Sequence, residues 1–398
     1  MHSPQGSRSR LLCYTRPAVR PDERKLHRLP TLEAKKATFE KCVFCPKLCR
    51  SACPVSNAEP RETLTPWGKM SMAYFVANGS VATAKEFAAP AWACTGCFGC
   101  REQCDHRNDV AGSLYAARSA LASTGMAPPA ARRVLARFSD VSAALASLTG
   151  RLGCLDEVRE NAETTVLIGC AYARHAENEA ADAVRVAARL SRGHVSLAST
   201  CCGAPLLHAG DEMRFREQGE RFRKAVAKSK KVLVVDAGCA ATIRIHLANA
   251  GVPMDVPVEH LVEAAGRELA RLEKVNTAVF GPSPLRWHDP CHLGRGLGLY
   301  EEPRAILERA IGEAPAEFDR ARSEARCSGA GGLLPATMPD VAAGIATTRA
   351  SEHTSLGGGT IVTACASSLR SFRKRGVPAV DLATVLAYAL GAEPGKRS

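Results

Sequence analysis

Apolar residues recur at helical spacing through roughly the first 150 positions and then change to short continuous runs, so a helical segment precedes α/β segments. Thr65-Pro66-Trp67-Gly68 reads as a helix start, with a threonine able to cap and a proline suited to the first turn. Met70, Tyr74 and Ala77 then share a face, and Asn78-Gly79 ends the helix. Leu114, Ala117 and Leu121 mark another helix. Met126-Ala127-Pro128-Pro129 interrupts the chain, and Leu135, Phe138, Val141, Leu145 and Leu148 beyond it predict a single connecting helix. Residues 1–35, broken by Pro4, Pro17, Pro21 and Pro30, predict a poorly ordered basic arm.

From residue 164 the texture changes. Thr165–Gly169 predicts a buried strand ending at Cys170, and a short strand near 195–198 ends at Cys201-Cys202-Gly203. A helix follows over about 211–229, and Lys231–Asp236 predicts a strand running into Gly238-Cys239. Strands alternating with helices predict a parallel sheet with crossover helices. The plan then repeats. Arg286-Trp287-His288-Asp289-Pro290-Cys291 ends a strand at a cysteine, and a helix starting at Glu302-Pro303 carries Ile306, Leu307 and Ile311. Cys327-Ser328-Gly329 stands where Cys201-Cys202-Gly203 stood, and Gly359–Ala364 predicts the last strand, delivering Cys365. Cys201 and Cys239 are 38 residues apart, as are Cys327 and Cys365, which points to a duplication. Ligand sites of open parallel sheets gather outside the carboxyl ends of the strands, so these cysteines could line one crevice. Gly203 would let the backbone approach a centre bound there.

The cysteines carry the chemistry. Cys94, Cys97, Cys100 and Cys104 follow the C-x2-C-x2-C-x3-C spacing of a bacterial ferredoxin loop. Cys42, Cys45, Cys49 and Cys53-Pro54 form a second run, with one extra residue (Lys47 or Leu48) between its second and third cysteines. Zinc sites with four cysteines usually pair two C-x2-C knuckles instead of packing four into one run, so the spacing favours two [4Fe–4S] clusters. In two-cluster ferredoxins the fourth cysteine of each run ligates the other cluster. One cluster would then take Cys42, Cys45, Cys49 and Cys104, and the other Cys94, Cys97, Cys100 and Cys53. Cys13 and Cys154 carry no such pattern.

An odd total of 17 cysteines, clustered and without a secretory apolar segment, points to a reducing cytoplasm over an exported disulfide scaffold. No apolar run reaches membrane-spanning length. The net charge of +13 is concentrated in residues 1–50 and around Arg370, Arg373, Lys374 and Arg375, where it could steer an acidic partner or an anionic membrane surface. Aromatic content of 5%, not interleaved with basic residues, argues against nucleic acid. No nucleotide-binding glycine motif follows a strand, and Gly329-Ala330-Gly331-Gly332 reads as a close-approach turn.

Two ferredoxin-type runs followed by two Cys…Cys-Cys-Gly…Cys halves resemble the heterodisulfide reductase D family, whose relatives include the iron–sulfur subunits of glycolate oxidase and anaerobic glycerol-3-phosphate dehydrogenase and the lactate-utilisation iron–sulfur proteins. The resemblance spans about residues 40–370 and is close at His288-Asp289-Pro290-Cys291-His292 and Cys327-Ser328-Gly329-Ala330-Gly331-Gly332. With the residue patterns above, it gives an α+β multidomain chain: a basic arm (1–35), a helical ferredoxin module (36–127), a connector helix (128–160) and two α/β cysteine-rich domains (161–275 and 276–392). It also implies two [4Fe–4S] clusters passing electrons between a flavoprotein dehydrogenase and a further acceptor, with no flavin on this chain. Full family motifs end each half in C-x2-C. Here those ends read Cys239-Ala240-Ala241-Thr242 and Cys365-Ala366-Ser367-Ser368. The first half keeps Cys170, Cys201, Cys202 and Cys239, room for a third cluster or for redox-active thiols. The second keeps Cys291, Cys327 and Cys365, with His292 as a candidate fourth ligand. The rival reading is a disulfide or sulfur-compound reductase acting at Cys201 and Cys202.

Overall fold

The computed structural model describes residues 25–45 and 48–392. Most of the predicted arm, with Cys13, and Lys47 of the first cysteine loop lie outside the described residues. Helices Lys36–Val43, Pro66–Asn78 and Val110–Ser123 enclose a core of Phe39, Met70, Tyr74, Trp92, Leu114 and Leu121. Among the described residues no strand precedes Thr164. Helix Pro66–Asn78 begins as its capping residues require. Thr65 Oγ1 accepts from the Gly68 amide at 2.9 Å, and Gly79, at φ 84°, closes the far end. Thr65→Ala is expected to lower stability by about 1 kcal/mol, read by denaturant titration, because one amide of the first turn loses its acceptor.

The predicted single connector is instead two helices, Pro129–Ala136 and Phe138–Leu152, broken at Arg137. No proline or glycine marks the break, and both pieces keep apolar residues on one side, so the periodicity runs through it. Phe138, Leu145 and Leu148 are buried in the core of the α/β region. The segment is therefore a wall of that region and not a free spacer.

The first sheet has the order β2-β1-β3-β4, all parallel, formed by β1 (Thr164–Leu167), β2 (Val195–Leu197), β3 (Lys231–Val234) and β4 (Val258–His260). β1 and β3 are buried along nearly all their length, which accounts for their unbroken apolar runs. The second sheet has the order β5-β6-β7, from β5 (Leu285–Trp287), β6 (Thr360–Thr363) and β7 (Ala379–Asp381). The strand at Thr360–Thr363 is thus not the last; β7 pairs with it in parallel register, Val362 opposite Val380. At three residues, β7 is too short to show a period. No β2 equivalent forms in the second sheet beyond a single bridge between Arg286 and Ala316.

The two halves exchange their closing helices. Helix Leu382–Ala389, which follows β7, packs on helix Glu177–Ser191 of the first half, and helix Leu261–Gly266, which follows β4, packs on helix Glu301–Ile311 of the second. Buried bonds fasten the first exchange: Tyr172 Oη donates to Asp381 at 2.8 Å and Thr384 Oγ1 to Asp182 at 2.8 Å. One hydrophobic core runs through both sheets. Among the described residues no helix is long and apolar enough to cross a membrane.

Candidate functional site

The two ferredoxin-type runs meet around two neighbouring voids. Cys42, Cys45, Cys49 and Cys104 line the first, and Cys53, Cys94, Cys97 and Cys100 line the second. Cys100 also borders the first, so the voids share a wall. Among the described residues no three such side chains converge closely enough to hold a single metal ion.

Polar donors point at the sulfurs. Asn108 Nδ2 lies 3.0 Å from Cys42 Sγ, Lys69 Nζ 3.3 Å from Cys53 Sγ and the Gly96 amide 3.4 Å from Cys94 Sγ. Burial pushes the Cys42 thiol up to about 12 and Cys49 to about 11, and Cys94 and Cys100 also rise by burial. Lys69 is fully enclosed; burial disfavours its charge, but the Cys53 and Cys94 thiolates outweigh that and hold it above the ordinary lysine value. The donor set fits an iron–sulfur group: at least four sulfurs around each void, N–H donors on the sulfurs, and thiols that give up protons only to a cationic centre. Neither Lys69 nor Asn108 stands out as a site residue in the sequence, although Lys69 is the sole charged residue in the helix Pro66–Asn78.

The second run is locked to the α/β region by Arg118. Its buried guanidinium donates to the carbonyls of Ala91 and Cys94 in the helical module, His208 in the first half and Gly332 in the second, all at 2.8–3.0 Å. The turn Gly329–Gly332 lies against the cysteine loop itself. A Cβ on Gly332 (φ 61°) would stand 2.2 Å from the Cys94 carbonyl oxygen, and one on Gly331 2.5 Å from that of Thr95. The close approach is to backbone.

In the first half, Cys170, Cys201, Cys202 and Cys239 follow the ends of β1, β2 and β3 and form one chain of thiols. Cys170 neighbours Cys201, Cys201 neighbours Cys202, and Cys202 Sγ lies 3.4 Å from Cys239 Sγ. Cys239 responds first to the Cys202 bond, which lowers its pKa; burial and Asp236 outweigh this and carry it up to about 12. Gly203 has φ 86°, but an added Cβ would meet Phe215 and Gln218 at 3.1–3.3 Å. Its freedom serves helix packing and not approach to a bound centre.

The second half divides its cysteines. Cys327 neighbours both Cys291 and, across the module boundary, Cys97. Cys291 Sγ is 3.5 Å from His292 Nδ1, whose ring stands edge-on to Phe98 with centroids 5.6 Å apart. Cys365 lies apart from that pair, facing Asp236 and Ser368. The expected single crevice is thus divided into a run of four thiols, a pair beside Cys97, and a lone Cys365. Where the repeat loses its cysteines, Ser328 and Ser368 bond each other at 2.8 Å. Cys154 is exposed, away from these groups. The C-terminal basic patch is partly spent internally: Arg373 pairs with Glu179 at 2.7 Å and Arg370 meets His175 at 3.1 Å.

Comparison with known proteins places families on these same segments. Residues 38–108 match the 4Fe-4S dicluster domain, and residues 164–244 and 285–372 match the cysteine-rich domain. The dihydromethanophenazine:CoB–CoM heterodisulfide reductase of Methanosarcina barkeri has one subunit that is 25% identical over 92% of this chain and 98% of its own length. The CoM/CoB fumarate reductase of Methanothermobacter marburgensis has one that is 26% identical over 69% of this chain, an alignment spanning 55% of that relative. A crystal structure of a hypothetical protein from Helicobacter pylori superposes with a TM-score of 0.56 over 92% of this chain and 77% of its own, at 10% identity, and so shares the fold.

Proposed function

For a chain that belongs to the heterodisulfide reductase D-like iron–sulfur proteins, we propose that its task is to relay single electrons between a flavoprotein dehydrogenase, or an electron-transfer flavoprotein, and a further acceptor. Cys42, Cys45, Cys49 and Cys104 would hold one [4Fe–4S] cluster, and Cys94, Cys97, Cys100 and Cys53 the other. Such clusters supply one-electron transfer. The observation that carries the reading is the shared wall at Cys100, which leaves one layer of protein between the two sites. The chain would bind no flavin, the organic substrate being handled by a separate protein of the complex. A cytoplasmic setting, peripheral to the membrane through the basic residues, belongs to the same proposal.

The test is anaerobic. Photoreduced flavin mononucleotide should bleach the visible absorption by about two electrons per chain, and ferricyanide should restore it. An iron-loaded chain that takes up no electrons would contradict the relay.

Lys69 supplies a sharper check. Its ammonium favours the more negative, reduced state of whatever Cys53 holds. Lys69→Met should lower that reduction potential by roughly 2 kcal/mol, on the order of 90 mV for one electron. Redox titration followed by EPR reads the shift; an unchanged potential would place the charge elsewhere than beside the cluster.

Disulfide reduction at Cys201 and Cys202 is the second reading. Both thiols are buried, at 1% and 0% exposure, whereas exchange with an outside disulfide requires access. An inert thiol core suits that site better.

A further inference from the structure

A cleft of about 390 Å3 opens between the helical module and the second cysteine-rich half. That volume is in the range of small-molecule sites. Four arginines line it, Arg295, Arg320, Arg326 and Arg349, against one acidic residue, Glu324. Residues 52–58 supply Ala52, Pro54 and Ala58, which with Ile345 form an apolar wall, and Cys327 is also in the lining.

The buried arginines are unequally satisfied. Arg295 gives Nε to the Cys97 carbonyl at 2.6 Å and Nη1 to those of Ser323 and Ala325. Arg349 is 1% exposed; its Nη1 bonds Glu352 at 2.9 Å, while Nε and Nη2 have no hydrogen-bond partner. Its guanidinium lies over the Phe318 ring, 3.4 Å from the centroid, which fixes the plane of the fork. Buried N–H groups left without acceptors are costly, and a guanidinium fork matches a carboxylate in geometry and charge. Arg320 and Arg326 are exposed, where they can draw an anion in.

We infer that this cleft binds a small organic acid, its carboxylate toward the arginines and its carbon chain on the apolar wall beside Cys327. The site is formed by the second half and the ferredoxin-type module. It gives the chain a ligand of its own, bound next to a thiol that touches Cys97.

Calorimetry on the anaerobically purified full chain tests it, with glutarate as the probe and with neutral glutaramide and inorganic phosphate as comparisons. Glutarate should bind and glutaramide should not. The exposed double variant R320Q/R326Q should weaken glutarate at least tenfold, and E324Q should tighten it, with iron content equal to wild type in both. Absence of glutarate binding, equal binding of glutaramide, phosphate binding without glutarate, or an affinity untouched by R320Q/R326Q would each overturn the inference. So would occupancy by an acidic protein partner with no uptake of the free acid. Because iron is counted on the same samples, loss of the ligand and loss of the clusters are told apart.

Discussion

Cys97→Ser should cut the iron of the anaerobically purified chain by about half, from about eight to about four per chain, and should abolish electron transfer through it. Cys97 sits in the wall of the second void with Cys53, Cys94 and Cys100, 7% exposed, so a serine there has no water to help it and is the weaker ligand. Its bond to Cys327 comes first among the causes that push the Cys97 thiol up, with burial next, so the two sulfurs are close neighbours. That neighbour offers a way round the lesion: Cys327 could take the empty position. The double variant Cys97→Ser with Cys327→Ser closes it. Full iron in the single variant and half in the double would move the ligand role to Cys327. Full iron in both would sink the assignment. Cys154→Ser, at an exposed cysteine, should leave iron and reduction unchanged.

Arg118→Leu should destabilise the chain by about 3–5 kcal/mol, the range seen when one partner of a buried charged network is removed. The side chain is fully buried and ties four carbonyls from three parts of the chain to one guanidinium. Burial lowers its pKa, and no carboxylate stands among these four partners. The carbonyls themselves are what it neutralises, and truncation leaves them unpaired. A lysine keeps the charge but has a single nitrogen that cannot reach in four directions, so Arg118→Lys should recover less than half of the loss. Thermal melts under anaerobic conditions check this; a fall of roughly 5 °C is expected for Arg118→Leu. A fall of about 2 °C or less would mean that apolar packing alone joins the modules.

Much of this arrangement is legible in the sequence because the signals are local. Thr65, Pro66 and Gly79 bound a helix through groups within a few residues of each other. Strands end at Cys170, Cys201 and Cys239 because an apolar run stops there. The repeated 38-residue interval makes the duplication visible. Elements whose cause is distant are not legible. β7 is three residues long and exists through its pairing with Thr360–Thr363. The helix break at Arg137 lacks a proline or glycine, and the exchange of closing helices depends on packing between segments far apart in the chain. The same holds at the site. Arg118 reads as an ordinary helix-surface arginine until its four acceptors are assembled. The arginines of the cleft, scattered from 295 to 349, are indistinguishable from solvated surface charge. Gly203 points to a bound centre in the sequence because its left-handed backbone is foreseeable, whereas the Phe215 side chain behind it is not.

The central claim is two clusters, four cysteines each, with the fourth ligands crossed. Iron and acid-labile sulfide per chain, counted together with the EPR of the reduced protein, test it most directly. The account predicts about eight of each and two magnetically interacting signals. About twelve irons would contradict the restriction to two and place a further cluster on Cys170, Cys201, Cys202 and Cys239. Zinc without iron would contradict the relay altogether.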